Sequence, residues 1–352
     1  MTGGEDDGRQ RSGIVHMGKH DTILLAHGGG GQLARELIRD EILSRFGGGQ
    51  LAGLPDGATL PNPGADLVFT TDSFVVQPIE FPGGNIGSLA VHGTVNDIAV
   101  CGGEPLWLSL ALIVEEGLPL ATLRRVLDAV RDAAARCAVA VVTGDTKVVA
   151  RGQCDGLYLN TAGLGRKLPG FELSPARIRP GDRVLTSGPL GDHGAAVLAA
   201  RQGIDIENGP RSDSAPVHRL ALAIRALAPH IRFMRDPTRG GAAAVLNEVV
   251  EDGAVGLALR EQDIPLSAGT RAVAELLGLD PLHVASEGRL LLVCAPEAAP
   301  LILDAWQAMD EGREAAVIGE ATGRAGRVVL ETVTGGMRLV DVPRGELLPR
   351  IC

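Results

Sequence analysis

The sequence predicts two domains, each a mixture of strands and helices of the α/β or α+β class. Its 352 residues exceed the length at which one hydrophobic core is usual. Short apolar runs alternate with segments of helical spacing along most of the chain. Glycine, proline and charged residues interrupt this alternation at 165–181, so we expect the domain boundary there.

The first half of the chain contains four short apolar runs bounded by turn residues, and we interpret these runs as strands. They are 67–71, 106–114, 138–143 and 157–162. The segments with helical spacing between them are 85–101 and 119–137. The second segment begins with Pro119, a residue that suits the first turn of a helix.

Beyond the boundary, strands and helices alternate again. The predicted strands are 183–187, 255–260, 289–294, 326–332 and 337–340. The predicted helices are 190–202, 214–228, 239–252 and 298–310. Two prolines and a glycine disfavour regular structure near the end, so we expect a flexible tail at 342–352 that carries Cys352. Residues 1–21 are polar, and we expect a disordered extension there.

Composition excludes several classes of protein. The net charge is −10 without a basic cluster, so we expect no nucleic-acid partner. No apolar run reaches the roughly 20 residues of a membrane helix, and the N-terminal residues lack the apolar core of a signal peptide. The five cysteines show no CxxC spacing, which argues against a disulfide framework and a thiolate zinc site. We therefore expect a cytoplasmic protein that has no contact with a membrane.

Carboxylate and amide side chains follow apolar runs or stand beside glycines, at Asp72, Asn96, Asp97, Asp145 and Asp236. Oxygen ligands near strand ends suit Mg²⁺ bound to substrate phosphates. Each of these residues taken alone is as readily explained as the cap of a turn or helix. Several together favour a nucleotide and metal site, with the four aspartates as the metal ligands.

A lysine follows one of these aspartates in the stretch TGDTKVVARG. Lys147 stands two residues after Asp145, with Thr146 between them. From that position a lysine can bind a phosphate oxygen as a point charge, or act as an acid or base if its pKa is lowered. The alternative is an ordinary solvated lysine on the surface.

The glycine-rich stretch HGGGGQLARELI at 27–38 leads into a helix. The backbone N–H groups of Gly29 and Gly31 are candidates for binding phosphate at the positive end of that helix. A dinucleotide-binding fold would need a second strand that ends in an acidic residue about 20 residues later. No such strand follows, so we reject that interpretation.

Three further residues are candidates for chemistry. His193 lies at a turn into a helix, where a structural role is the alternative, and Glu287 precedes a strand as either a turn carboxylate or a base. Cys352 has no packing role on a flexible tail. About twelve extended residues span on the order of 40 Å, and a thiol offers reversible covalent attachment. We therefore interpret Cys352 as the carrier of a substrate.

Several stretches together resemble the HypE family of hydrogenase maturation factors, the carbamoyl dehydratases of [NiFe]-hydrogenase assembly. The resemblance extends from Leu25 to the end of the sequence, and its most specific parts are the run at 70–102 and the ending. The stretches that carry it are AHGGGG, TTDSFVV through NDIAVCG, VVTGDTKVVARG, GPLGDHGAAV, RDPTRGG and PRIC.

The resemblance implies an aminoimidazole ribonucleotide synthetase-like α+β fold. This fold comprises a ferredoxin-like N-terminal domain at 22–168 that binds ATP and forms a homodimer, an α/β C-terminal domain at 178–341, and the tail. It also implies ATP and Mg²⁺ as cofactors. HypF would load a carbamoyl group onto Cys352, and the HypC–HypD complex would accept the resulting cyanide. Lys147 and Glu287 would be the bases, and His193 would contact phosphate or the tail.

Two other functions remain open. The first is another ATP-dependent enzyme of the same superfamily, of the ribonucleotide synthetase or selenophosphate synthetase type. Residues 27–35 contain no cysteine or lysine of the kind that selenophosphate synthetases carry in this loop. The second is a thiol carrier without catalytic activity, which would hold a ligand on Cys352 and would not need the aspartates or Lys147.

Overall fold

A computed structural model describes most of the chain and confirms two domains of the α+β class. The described residues are 21–28, 32–47, 58–251, 255–342 and 351–352. Gly29 and Gly31, the predicted N-terminal extension up to residue 20, and 343–350 of the predicted tail lie outside these ranges. No helix in the described ranges is both long and apolar enough to cross a membrane.

The N-terminal domain is built on a four-stranded sheet in the order β1-β6-β4-β5. Its strands are β1 (Leu67–Phe74), the short hairpin β2 (Glu80–Phe81) and β3 (Gly84–Asn85), β4 (Gly103–Glu115), β5 (Ala140–Val149) and β6 (Leu157–Lys167). Its helices are α1 (Gln32–Leu37), α2 (Ser44–Phe46), α3 (Ile86–Val100) and α4 (Leu120–Cys137). A π-helical segment, Ile38–Leu43, joins the first two helices.

The main strands and helices of this domain follow one another as β-α-β-α-β-β, and β4 and β5 are parallel. A ferredoxin-like domain has the order β-α-β-β-α-β. The extra crossover through α4 places β5 beside β4 and leaves β6 to pair with both β1 and β4. The N-terminal domain therefore belongs to the expected α+β class, but its strands and helices are connected in a different order from those of a ferredoxin-like domain.

Helix α3 is buried almost all round, because it lies between the sheet, α4 and the C-terminal domain. Its start is fixed by Asn85, whose side chain accepts hydrogen bonds from the N–H groups of Gly87 and Ser88. The Ser88 hydroxyl accepts in turn from the N–H of Asn85, which completes a capping box. This helix carries two of the predicted site residues, Asn96 and Asp97, next to each other.

The opposite face of the sheet is open. Strand β1 alternates along its length, and its side chains that point away from α3 are exposed, among them Leu67 (56%) and Phe69 (67%). Phe69 pairs with Leu164 of β6, which pairs with Trp107 of β4. A row of apolar side chains therefore crosses three strands of the open face.

The third predicted strand is longer than the sequence indicated. The apolar run that predicted this strand ends at Thr143, yet β5 continues to Val149. Its pairing with β4 persists because Gly144 lets the two backbones approach closely: a Cβ there would lie 2.2 Å from the Leu110 carbonyl oxygen. Asp145, expected just past the strand, is therefore inside it.

The C-terminal domain is built on a seven-stranded sheet in the order β13-β12-β9-β11-β7-β10-β8. Its strands are β7 (Arg183–Thr186), β8 (Ile231–Arg235), β9 (Gly256–Arg260), β10 (Leu291–Cys294), β11 (Ala316–Thr322), β12 (Val328–Glu331) and β13 (Met337–Leu339). Its helices are α5 (Asp192–Gln202), α6 (His218–Ala223), α7 (Gly241–Glu251), α8 (Ala268–Leu277) and α9 (Ala299–Gln307).

Three of these elements were not expected, and one predicted helix was too long. The pattern missed β8, β11 and α8. Strand β8 has the sequence IRFMR, and its two arginines interrupt the apolar pattern by which a buried strand is recognised. The helix predicted at 214–228 shrinks to α6, because Pro216 precedes it and Pro229 lies within the 3₁₀ turn that follows it.

An extended segment at 210–217, called here the strap, connects α5 to α6 along the contact between the domains. Its Ser212 N–H donates to the Pro82 carbonyl of the N-terminal domain (2.8 Å). Its Val217 N–H donates to the side-chain oxygen of Asn96 on α3 (2.8 Å). The strap therefore binds both domains beside the site described next.

Candidate active site

A cavity of about 240 Å³ opens where the two domains meet. The end of β1, one face of α3, the turn from β8 into α7, the segment before β10 and the last residue of the chain all contribute to its wall. The residues that line it are Thr71, Asp72, Ser73, Phe74, Gly93, Asp97, Arg235, Asp236, Thr238, Arg239, Val245, Glu248, Glu287 and Cys352.

Three of the predicted aspartates meet in this cavity. Asp72 comes from β1, Asp97 from α3 and Asp236 from the turn after β8. Burial raises the pKa of all three carboxyls, and Asp97 raises the pKa of the other two further. The pKa of Asp236 reaches about 7. Thr70 Oγ1 donates to Asp97 at 2.7 Å. The carboxylates repel one another, and the positive charges of Arg235 and Arg239 offset that repulsion only in part.

These carboxylates suit a cation that arrives with its own ligands. Among the described residues, no group of three or more His, Cys, Asp or Glu side chains is arranged to hold a metal ion by itself. Magnesium in nucleotide sites usually takes one or two carboxylates and fills the other positions with water and phosphate oxygens. Asp72, Asp97 and Asp236 fit that mode of binding.

Two arginines beside the aspartates were not expected from the sequence. Arg235 ends β8 and its Nη2 lies 3.3 Å from Glu248 Oε2, while Arg239 follows three residues after Asp236. Both line the cavity. The signal was present in the stretch RDPTRGG, where one arginine stands on each side of DPT. Gly240 and Gly241 have φ values of 78° and 62°, so the chain can turn sharply there into α7.

Both backbone groups of Glu287, its N–H and its carbonyl, are hydrogen-bonded. Its N–H donates to Asp213 Oδ1 (3.1 Å), and its carbonyl accepts from the Asn96 amide (3.2 Å) and the Ala215 N–H (3.4 Å). The side chain is 1% exposed, and its Oε1 has no hydrogen-bond partner. Burial, together with Asp236 and Asp213, raises its pKa well above the usual value.

Asp213 and Arg289 form a second buried group that sequence reasoning missed. Arg289 Nε lies 3.4 Å from Asp213 Oδ2 and donates to the Pro189 carbonyl at 2.9 Å. Burial raises the pKa of Asp213 to about 6, and Arg289 opposes that shift. Gly288 stands between Glu287 and Arg289, and a Cβ on it would lie 1.8 Å from the Asp213 carbonyl oxygen. The close approach of the two backbones therefore requires glycine at this position.

Cys352 lies in the cavity beside Glu287. The thiol and the carboxyl line the same cavity and are close enough to interact, and burial and Glu287 raise the pKa of Cys352 well above its usual value. The docked residue is therefore a thiol rather than a thiolate. Ile351 is 3% exposed and belongs to the apolar cluster that includes Val197 and Leu198 of α5. The last two residues are thus packed in the protein, in contrast to the flexible end that was expected.

His193 contacts this end of the chain. It is fully buried in the first turn of α5, and its Nε2 lies 2.8 Å from the Ile351 carbonyl oxygen. Its Nδ1 lies 2.8 Å from Ser212 Oγ. Burial lowers the pKa of His193 to about 4, so the ring is neutral at physiological pH. Of the two contacts expected for His193, to phosphate or to the tail, the structure has the contact to the tail.

The remaining predicted residues lie elsewhere. Asn96 is fully buried, and its hydrogen bonds go to backbone groups of the C-terminal domain rather than into the cavity. Asp145, Thr146 and Lys147 lie within β5. Asp145 pairs with Ala111, which pairs with Asn160, whose amide reaches Ser73 Oγ on the open face. Asp145 and Lys147 therefore point to that face, whereas Asp72 points towards Gly93 of α3.

Comparisons with known proteins agree with this architecture. The N-terminal and C-terminal domain models of the AIR synthase related protein family match residues 55–167 and 179–331. A relative from Rhodobacter capsulatus, described as carbamoyl dehydratase HypE, is 47% identical over 95% of this chain and 99% of its own length.

Two solved structures are similar in both sequence and fold. A hydrogenase maturation protein HypE in complex with ATP is 42% identical, with a TM-score of 0.90 over 94% of this chain and 100% of its own. A HypE–HypF complex contains a chain that is 38% identical, with a TM-score of 0.77 over 87% of this chain and 99% of that one. Together with the fold and the site, these similarities show that the chain belongs to the HypE family of hydrogenase maturation proteins, within the AIR synthase related superfamily.

Proposed function

We propose that this protein uses ATP to dehydrate a carbamoyl group carried on its own Cys352, and so supplies the cyanide ligand for the iron of a [NiFe]-hydrogenase. The observation that supports this proposal most directly is the contact between the Cys352 thiol and the Glu287 carboxyl, in a cavity lined by three aspartates and two arginines. A carrier thiol and a proton acceptor are thus adjacent at a site suited to phosphate.

The proposed reaction removes one oxygen and two nitrogen-bound hydrogens from the thiocarbamate. An amide oxygen is a poor leaving group, and transfer of the γ-phosphoryl group to it makes it a good one. The C–O bond then breaks, phosphate departs and both N–H protons are lost, which leaves S–C≡N on Cys352. The balance is S-carbamoyl plus ATP to thiocyanate plus ADP, hydrogen phosphate and one released proton.

Glu287 is the proposed acceptor of one of those protons. Its raised pKa makes the ionised carboxylate a stronger base than a solvated glutamate. Asn96 and Asp213 bind its backbone and so fix the position of its side chain. Its Oε1 has no partner of its own and is available to a substrate.

Arg235 and Arg239 would bind the phosphate oxygens from the C-terminal side of the cavity. Asp72, Asp97 and Asp236 would hold Mg²⁺, which neutralises charge on the transferring phosphoryl group when it is bound. The related HypE solved in complex with ATP supports the choice of nucleotide.

Loading requires that Cys352 leave the cavity, because its thiol is buried against Glu287. We propose HypF as the carbamoyl donor, in keeping with the related HypE–HypF complex. The HypC–HypD complex is proposed to receive the cyanide. Each partner would act on the undocked end of the chain. We propose the cytoplasm as the compartment, since a free carrier thiol needs reducing conditions.

A homodimer gives the open face of the first sheet a partner. The row of Phe69, Leu164 and Trp107 is apolar and is not covered within the described chain. Asp145 and Lys147 lie on the same face. We propose that the two residues act at this interface, where the Asp145 carboxylate and the Lys147 ammonium of one copy would face the nucleotide site of the other.

The test is mass spectrometry of the C-terminal peptide after carbamoylated protein is given Mg-ATP. We expect the adduct on Cys352 to lose the mass of one water, and Cys352→Ser to acquire no adduct. An adduct that keeps its mass in folded, ATP-binding protein would contradict the dehydratase function. Asp145→Ala separates the thiol carrier from the enzyme: a carrier would show the same adduct chemistry in the variant, whereas the enzyme would load and fail to dehydrate.

A further inference from the structure

We propose that His193 is a positioning residue that holds the end of the chain in the cavity, and that its hydrogen bond to the Ile351 carbonyl sets the fraction of molecules whose Cys352 is presented to Glu287. This inference deepens the proposed function and rests on it for its catalytic meaning. The hydrogen bond itself is a property of the structure.

The first observation is the tautomer of the ring. A carbonyl oxygen can only accept, so Nε2 carries the hydrogen and donates to Ile351. In the neutral ring Nδ1 is then an acceptor, and the Ser212 hydroxyl donates to it over 2.8 Å. The Ser212 oxygen accepts from the Ser214 N–H at 3.1 Å. Each member of this chain has one role available, which fixes the direction of the Nε2–H bond.

The second observation is the rigid frame around the ring. Phe81 of β2 meets the imidazole edge to face, with ring centres 5.2 Å apart and planes at 87°. The Ser212 N–H is bound to the Pro82 carbonyl. His193 therefore sits between α5, the strap and the short hairpin of the other domain, so it cannot follow the tail if the tail moves.

The third observation separates His193 from an ordinary buried histidine. Its Nε2 partner is a backbone group 158 residues away, next to the proposed carrier residue. If the end of the chain leaves the cavity, a fully buried N–H loses its acceptor, and such a loss is costly. Because Ile351 is also packed in the apolar cluster, one side chain and one hydrogen bond together retain the docked end.

The experiment measures exposure of Cys352 directly, with unloaded full-length protein and no ATP. Iodoacetamide is added, and alkylation of Cys352 is followed by mass spectrometry of the C-terminal peptide. The rate is proportional to the undocked fraction when docking is fast. We expect His193→Ala to raise the rate about 5- to 30-fold, as loss of one buried hydrogen bond implies. His193→Gln keeps an N–H donor at similar reach, and we expect a smaller rise.

The matched control is His283→Ala. His283 Nε2 is also 2.8 Å from a backbone carbonyl, that of Asp341 just before the tail, and His283 does not line the cavity. We expect it to leave the alkylation rate unchanged. Equal rates in His193→Ala and the unaltered protein would overturn the proposal, as would an equal rise in His283→Ala.

Ser212→Ala decides the matter if His193→Ala does not fold. It removes the hydroxyl that fixes the tautomer and leaves the imidazole in place, so we expect a rate between those of the unaltered protein and full exposure. An unchanged rate contradicts the proposal. The alkylation assay needs no dehydration, so its failure leaves the proposed function standing. Conversely, a protein that never loses water but still exposes Cys352 in His193→Ala would refute the function and keep the positioning role.

Discussion

The side-chain amide of Asn96 donates to the main-chain carbonyl of Glu287 over 3.2 Å, so a helix of one domain fixes the candidate base of the other. Asn96 also donates to the Ala215 carbonyl and accepts from the Val217 N–H. All three partners are backbone groups of the C-terminal domain. The same hydrogen bonds of Asn96 therefore join the two domains and position Glu287.

We expect Asn96→Ala to lower the free energy of unfolding by about 2–4 kcal/mol, because it removes three hydrogen bonds to backbone groups of the other domain. Urea denaturation followed by circular dichroism measures this change. Asn96→Asp is the sharper comparison, because it keeps the shape and the acceptor and loses both donated bonds. A loss below about 0.5 kcal/mol in both variants would show that the contact adds no net stability.

We expect Glu287→Gln to slow dehydration on the order of 10²–10⁴-fold, the usual contribution of a positioned proton acceptor. Carbamoylation of Cys352 should be unaffected, since loading takes place outside the cavity. Single-turnover mass analysis of the C-terminal peptide gives both numbers. Asp213→Asn tests the support of Glu287, and a smaller loss is expected because an amide oxygen can still accept from the Glu287 N–H. Full activity of Glu287→Gln would assign the base elsewhere.

The stability of the folded protein should fall in acid through His193. Burial lowers its pKa from 6.5 to about 4, so the unfolded chain binds the proton more readily than the folded one. A lowered pKa contributes stability above pH 6.5 that is lost as the pH falls towards 4. The difference in unfolding free energy between the unaltered protein and His193→Gln should shrink over that window, by about 3 kcal/mol at most. A constant difference would mean that the histidine titrates normally.

We expect Phe69→Asp to produce a folded monomer. Phe69 is 67% exposed in the single chain, so a charge there costs the fold little and disrupts an apolar interface. Light scattering coupled to size exclusion gives the mass. Leu301→Asp is the control, because Leu301 is 54% exposed on α9 of the other domain. A dimer that survives Phe69→Asp would place the interface on another surface.

The sequence allowed most strands and helices to be predicted because their patterns are local. Helix α4 has a clear apolar stripe and a proline at its start, and its predicted and observed bounds differ by one residue at the beginning. The end of β5 could not be predicted, because it depends on pairing with β4 through Gly144. Strand β8 was hidden for a similar reason: its arginines are accommodated at the edge of the sheet, near Asp182 and Glu248.

Three of the four predicted metal ligands were brought together, because the end of β1, helix α3 and the turn after β8 all meet between the domains. Asp145 was not, since it lies inside β5, where its register against β4 decides which face of the sheet its side chain occupies. Arg239 and Asp213 went unnoticed for a different reason. A lone arginine or aspartate in a loop becomes informative only when burial and partners are known, as with the Asp213–Arg289 pair.

His193 binds the backbone carbonyl of Ile351 rather than the sulfur of Cys352. Every residue has such a carbonyl, and it stays the same whether Cys352 is bare, carbamoylated or cyanated. The hydrogen bond from His193 therefore depends on whether the end of the chain is docked, and is independent of the group carried on Cys352. Discrimination between reactant and product must then be made one residue further on, by the carboxylates and arginines around the sulfur.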